Sequence, residues 1–112
     1  MSEDLPADIE VAPREVSARL ERGEKFLFVD VREKWEHEAS HIDGSVLIPM
    51  REIPAHLRRL AEERDIVLFC HHGMRSLDAA AWLRSQGVEG ARSMAGGIER
   101  WSIEVDPLVP RY

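Results

Sequence analysis

The only cysteine in the chain, Cys70, comes at the end of an apolar run, Ile66-Val67-Leu68-Phe69. His71, His72, Gly73 and Met74 follow, then Arg75 and Ser76, so four residues separate the thiol from a guanidinium. A buried strand that delivers a thiol to a short loop at a helix start places it against free backbone N–H groups and the positive end of the helix dipole. Successive N–H groups in such a loop form an anion nest. Nest, dipole and Arg75 all favour thiolate, the nucleophilic form. Gly73 lets the backbone turn without a Cβ clash, and Ser76 can cap the helix or donate a hydrogen bond. Cys70 is therefore the candidate nucleophile, and His71, His72, Gly73, Met74, Arg75 and Ser76 are the candidate substrate-binding residues. The competing reading is a small core residue, because free cysteine is among the most buried side chains. The glycine and arginine behind Cys70 weigh against it.

Other residues compete for a chemical role. His37-Glu38-Ala39-Ser40-His41 matches the H-E-x-x-H zinc pattern. That chemistry needs both histidines on one helical face and a third ligand, whereas Asp43-Gly44 is a turn signal that breaks the helix. No metal site is assigned. The His71 and His72 side chains either donate protons or tune the loop charge, or they merely rim the pocket. Asp30 and Arg32 read as a structural ion-pair network at a strand end, with Glu36 or Glu38 as further partners. Trp35, Trp82 and Trp101 read as packing, and Arg58-Arg59 as a solvated face.

The elements that position the loop can be read from periodicity. Ile9-Glu10-Val11 is a short edge strand. Residues 13 to 22 form a helix with Pro13 at its first position, Val16 and Leu20 on one face and Gly23 as C-cap. Residues 26 to 31 are a strand buried on both faces, as in a parallel sheet. Residues 33 to 38 form a short helix, and Val46-Leu47-Ile48 a strand stopped by Pro49. Ile53, Leu57, Leu60 and Ala61 fall on one face of a helix with Pro54 in its first turn. Residues 66 to 70 are the central strand, 75 to 86 a helix, 91 to 94 a last strand. Gly96-Gly97 then turns into a short helix carrying Trp101. Residues 103 to 112, with Pro107 and Pro110, read as an extended segment wrapping the surface. Strands alternating with helices predict an α/β domain with a mainly parallel sheet. In such sheets ligand sites lie off the carboxyl ends of the strands, where Cys70 stands.

At 112 residues the chain reads as one domain, with residues 1 to 8 as a lead-in. A net charge of -6, from 15 basic and 21 acidic residues, argues against nucleic acid or an anionic membrane as partner. A lone cysteine suits a reducing compartment. Met1 to Pro13 has acids and no apolar run, unlike a signal peptide, and no stretch approaches the ~20 apolar residues of a membrane helix. The expected location is the cytoplasm.

Four segments carry a family resemblance: Phe28-Val29-Asp30-Val31-Arg32-Glu33, His41-Ile42-Asp43-Gly44-Ser45 through Ile48-Pro49, Cys70 to Ser76, and Gly96-Gly97-Ile98-Glu99-Arg100-Trp101. In this order they resemble the single-domain rhodaneses, the thiosulfate sulfurtransferase-like modules. Ser40, Asp43 and Ser45 stand where that family often has glycine, proline and alanine, and Leu47 where asparagine is common. The resemblance implies a three-layer α/β domain with a central five-stranded sheet flanked by helices. It also implies a persulfide mechanism without a cofactor. Cys70 would take a sulfane sulfur from a small anionic donor such as thiosulfate and pass it to a low-molecular-weight thiol, cyanide or a thioredoxin-like acceptor. The amides from His71 to Ser76 would hold the transferred sulfur and the anionic group, and Arg75 would neutralise the donor. Related cell-cycle phosphatases carry one loop residue more, so the Cys70–Arg75 spacing resembles the sulfur-transferring type. With no second cysteine, the persulfide needs an external acceptor. A monomer or weak dimer is expected. Three alternatives remain: a non-catalytic rhodanese-like interaction module, a sulfur-relay subunit serving a thiolating enzyme, and an arsenate or phosphate-ester enzyme. The end of the chain resembles that of rhodanese domains fused to adenylating enzymes.

Overall fold

The structure, a computed structural model, describes residues 8–112; most of the expected lead-in, including its acids Glu3 and Asp4, lies outside that range. Five strands form one sheet in the order β1-β5-β4-β2-β3, and every pairing is parallel. The strands are β1 (Glu10–Val11), β2 (Leu27–Asp30), β3 (Val46–Leu47), β4 (Ile66–Phe69) and β5 (Ala91–Met94). The α-helices are α1 (Pro13–Glu21), α2 (Lys34–Ala39), α3 (Leu57–Leu60), α4 (Met74–Ser85) and α5 (Gly97–Glu104). None of the helices among the described residues is long and apolar enough to cross a membrane.

Strand β4 lies at the centre and explains why its sequence is apolar throughout. Side chains alternate across a sheet, so Ile66, Leu68 and Cys70 enter the core with Ala79, Ala80 and Leu83 of α4. Val67 and Phe69 enter the opposite core with Val16 of α1, Phe28 of β2, and Ile98 and Trp101 of α5. All four β4 residues are fully buried, each contributing roughly 1.5–3 kcal/mol of apolar burial. The three layers are thus one sheet between two helical faces. Cys70 continues the β4 face that packs on α4.

Three expectations need correction. Residues 53 to 61 do not form one α-helix: Met50–His56 is a 3₁₀ helix, and only Leu57–Leu60 is α-helical. Pro54 has no N–H and its ring disfavours an α turn before it, so the segment winds tighter. Ile53 and Leu60 are buried as the spacing requires, but Ala61 is exposed. On α1, Val16 is buried and Leu20 is 39% exposed. Arg19 takes the inner position, paired with Glu24 and Asp65 and lying over the Phe26 ring. A buried arginine with two carboxylates outside the helix is invisible to an apolar-periodicity argument. Finally, α5 runs to Glu104, so the first two residues of the expected extended segment are helical. A turn closed by Val109 N–H to Asp106 O follows, and residues beyond it cross the surface.

Candidate active site

Cys70 leaves β4 directly into the loop, and α4 begins at Met74. Gly73 caps that helix at φ 99°, a left-handed conformation that glycine adopts without strain. This turn folds the loop back over the thiol. The Gly73 amide donates to Cys70 Sγ at 3.1 Å and the Ser76 amide at 3.3 Å. Two N–H groups aimed at one sulfur, at the start of a twelve-residue helix, stabilise negative charge there. Cys70 is 2% exposed, so the loop shields the sulfur while its amides face it.

Ser76 is fully buried, and its hydroxyl lies 3.4 Å from Sγ, 3.4 Å from Gly73 O and 2.7 Å from the Ser93 hydroxyl. Ser93, on β5, is also fully buried. Donation from Ser93 to Ser76 leaves the Ser76 proton for Sγ or Gly73 O. Sequence reasoning missed Ser93, because a serine on a strand carries no local signal of a partner 17 residues away.

The loop is clamped from behind by the Gly96-Gly97 turn. Ile98 N–H donates to Cys70 O at 2.9 Å and Glu99 N–H to His71 O at 3.1 Å. Gly97 has φ 63°, and a Cβ there would meet the Cys70 carbonyl oxygen at 2.5 Å and the His71 carbonyl oxygen closer still. The start of α5 therefore packs on the backbone of the cysteine loop, which is what a glycine pair does so far along the sequence from Cys70.

Arg75 is half-exposed, and its guanidinium forks onto the buried Glu36 carboxylate, Nη1 to Oε1 at 2.8 Å and Nη2 to Oε2 at 2.9 Å. This bond, the Glu33 backbone N–H and the Tyr112 hydroxyl hold the Glu36 carboxyl down at about 2 against opposing burial. Arg75 is pushed up from its ordinary value by the same Glu36 hydrogen bond. Glu36 also closes the capping box of α2 with Glu33, which fixes where the carboxylate stands.

Asp30 and Arg32, both fully buried, form the expected network at the end of β2: Arg32 Nε and Nη2 donate to Asp30 at 2.8 and 2.7 Å. Its other members are His37, whose Nδ1 lies 2.8 Å from Asp30 Oδ2, and Tyr112, whose hydroxyl accepts from Arg32 Nη1 at 2.8 Å and donates to Glu36 Oε2 at 2.7 Å. Glu36 joins through Tyr112, while Glu38 faces solvent beside Lys34. In the H-E-x-x-H segment α2 ends at Ala39, so His41 lies beyond the helix, where its ring stacks on that of His37 at 4.9 Å, and His37 Nδ1 is engaged by Asp30.

The His71 ring stacks on His72 (4.0 Å, 22°) and on Tyr112 (4.0 Å, 10°). Burial first, and the neighbouring His72 second, push the His71 imidazole below its ordinary value, toward the neutral form. His72 and Met74 are exposed on the loop. Among the described residues, His71, His72 and Glu99 bring ligand-type atoms within 4.8 Å of one another. The two rings lie face to face, and the Glu99 carboxylate is engaged by Arg111.

The sequence model of the rhodanese-like domain matches residues 12–104. The chain belongs to the rhodanese-like family. The probable adenylyltransferase/sulfurtransferase MoeZ of Mycobacterium tuberculosis is 36% identical over 104 residues, which cover 91% of this chain and 26% of that protein. This rhodanese-like chain thus spans about a quarter of that relative's length. The thiosulfate sulfurtransferase GlpE of Pseudomonas syringae is 34% identical over 91 residues, 81% of this chain and 84% of that one. The human single-domain sulfurtransferase TSTD1 superposes with a TM-score of 0.76 at 30% identity, covering 86% of this chain and 96% of that one. The parallel sheet flanked by helices is thus a rhodanese-like fold. Within it, the Ser40 hydroxyl donates to Pro110 O at 2.6 Å and holds the segment after α5 against the domain.

Proposed function

We propose that the protein is a sulfurtransferase that carries a sulfane sulfur as a Cys70 persulfide, with thiosulfate or a persulfide as donor. The observation that carries this reading is the pair of amides, from Gly73 and Ser76, aimed at the sulfur of the lone cysteine. The likeness to proteins named as sulfurtransferases supports sulfur transfer in general. The Cys70 thiolate attacks the outer sulfur of the donor. The donor's S–S bond breaks, its electron pair leaves with sulfite when thiosulfate is used, and a Cys70–S–S⁻ persulfide forms. An acceptor thiolate or cyanide then attacks the terminal sulfur, taking it as persulfide or thiocyanate and returning the Cys70 thiolate. Loop amides hold the terminal sulfur during its lifetime, as preorganised donors hold charge that develops in a reaction. Arg75 contributes positive charge that Glu36 largely balances, so the amides meet most of the donor's charge. His71, His72 and Met74 form the outer side of the loop. No second cysteine is available to release the sulfur, so an external acceptor completes turnover.

Intact mass after incubation with thiosulfate tests the reading. A gain of one sulfur, about 32 Da, is expected in the wild type and not in Cys70→Ser. No adduct with thiosulfate or another sulfane donor, and no transfer to cyanide, would remove the enzyme reading and favour a non-catalytic interaction module. The likeness to a probable adenylyltransferase/sulfurtransferase over most of this chain supports a narrower form of the proposal, a relay that hands its persulfide to a thiolating partner. Efficient transfer to protein acceptors with poor turnover on cyanide would favour that form.

A further inference from the structure

Resting on the persulfide reading, we infer that Tyr112 and Trp35 are specificity residues: they form the subsite on which the carbon body of a low-molecular-weight organic thiol packs as it takes sulfur from Cys70. Tyr112 is held at the loop by three residues, His71, Arg32 and Glu36. Its ring stacks on His71, the residue after the nucleophile, at 4.0 Å and 10°. Its hydroxyl bridges Arg32 and Glu36, and Glu36 in turn holds Arg75 of the same loop. The Arg32 guanidinium lies 5.4 Å from its ring centroid. Upstream, Ser40 bonds Pro110 and Glu99 bonds Arg111, so the backbone that delivers Tyr112 is itself anchored. A side chain with these fixed partners presents a defined surface, and Tyr112 as a residue is 37% exposed.

Trp35 extends it. The indole meets the Tyr112 ring edge-on at 6.0 Å and 85° and is 62% exposed. Nothing in the core requires that ring, since Trp101 and Phe28 supply the buried aromatic packing. An exposed tryptophan against a tyrosine at the rim of a nucleophile is suited to contact an apolar body. Charge points the same way. Beside the loop Glu36 is paired with Arg75 and Glu99 with Arg111, and beneath it the buried Asp30 is paired with Arg32. The surface presented beside the loop is therefore a run of rings, Trp35, Tyr112, His71 and His72. Rings add little for cyanide or thiosulfate, which have no carbon body, and add contact area for an aryl or peptidyl thiol.

The lone cysteine allows a test that needs no turnover. Cys70 is alkylated with iodoacetamide and with its N-phenyl derivative, followed by intact mass, and the rate ratio is normalised to that of free cysteine. The wild type should favour the phenyl reagent by roughly 3- to 10-fold over Tyr112→Ala, the worth of one aromatic contact. Tyr112→Phe, which keeps the ring, should retain the preference. Trp35→Ala, which removes an exposed side chain, should lose part of it and keeps the test valid if Tyr112→Ala does not fold. A ratio that is unchanged or higher in both alanine variants overturns the subsite. Persulfide formation is read separately by mass. If persulfide is absent while the phenyl preference survives, sulfur transfer fails and the ring surface stands as a binding site for aryl groups.

Discussion

Glu36→Gln probes the ion pair that holds Arg75 of the Cys70 loop with one atom changed. In the wild type the Arg75 hydrogen bond, with help from the Glu33 backbone and Tyr112, holds the Glu36 carboxyl at about 2 rather than 4.5. The native fold thus favours the ionised form by about 3 kcal/mol, and the side chain is only 5% exposed, so solvent screens little of it. Because the native value lies below the unfolded one, this stability is fully present above pH 4.5 and is lost as pH falls through 2. Over that window Arg75 stays charged and Tyr112, pushed up to about 12 by burial, stays neutral, so neither partner confuses the titration. Glutamine keeps the shape and an acceptor oxygen but cannot ionise. Urea unfolding at neutral pH should show a loss of about 3 kcal/mol for Glu36→Gln. Repeated at steps toward acid, the gap between wild type and variant should close. Two curves that stay parallel from pH 6 to 2 would refute the assignment of Glu36 as the ionised partner of Arg75.

Two further substitutions probe the loop. Gly97→Ala places a Cβ against the carbonyl oxygens of Cys70 and His71 at a φ of 63°, so it should cost at least about 1–2 kcal/mol from the backbone conformation alone and disorder the loop; an unchanged thermal midpoint would show that α5 does not brace Cys70. Ser93→Ala removes the buried hydroxyl paired with Ser76 and should cost about 1 kcal/mol, with slower persulfide formation by intact mass; unaltered sulfur loading would leave the Ser76 proton with no dependence on β5.

The sequence by itself determined the parts that depend on local pattern. An unbroken apolar run made β4 a central strand, because only burial on both faces accounts for four consecutive large apolar residues. The same run, followed by Gly73 and Arg75, put the thiol at a helix start. Asp43-Gly44 marked a turn close behind α2, and the helix ends before His41. Tertiary structure decided which distant groups meet. Arg75 finds Glu36 across 39 residues, Tyr112 finds Glu36 across 76, and Ser93 reaches Ser76 from another strand. Such pairs leave no periodic trace, since a polar side chain looks alike in sequence whether its partner is water or a buried ion. Arg19 misled for that reason: its position on α1 is apolar by geometry, and two carboxylates from other segments make a charge acceptable there. The setting of Cys70, a thiol at a strand end facing loop amides at a helix start, was therefore legible in its own loop. What lies around it, a neutralised arginine and a wall of rings, exists only once the parallel sheet and the segment after α5 bring those residues to one end of the fold.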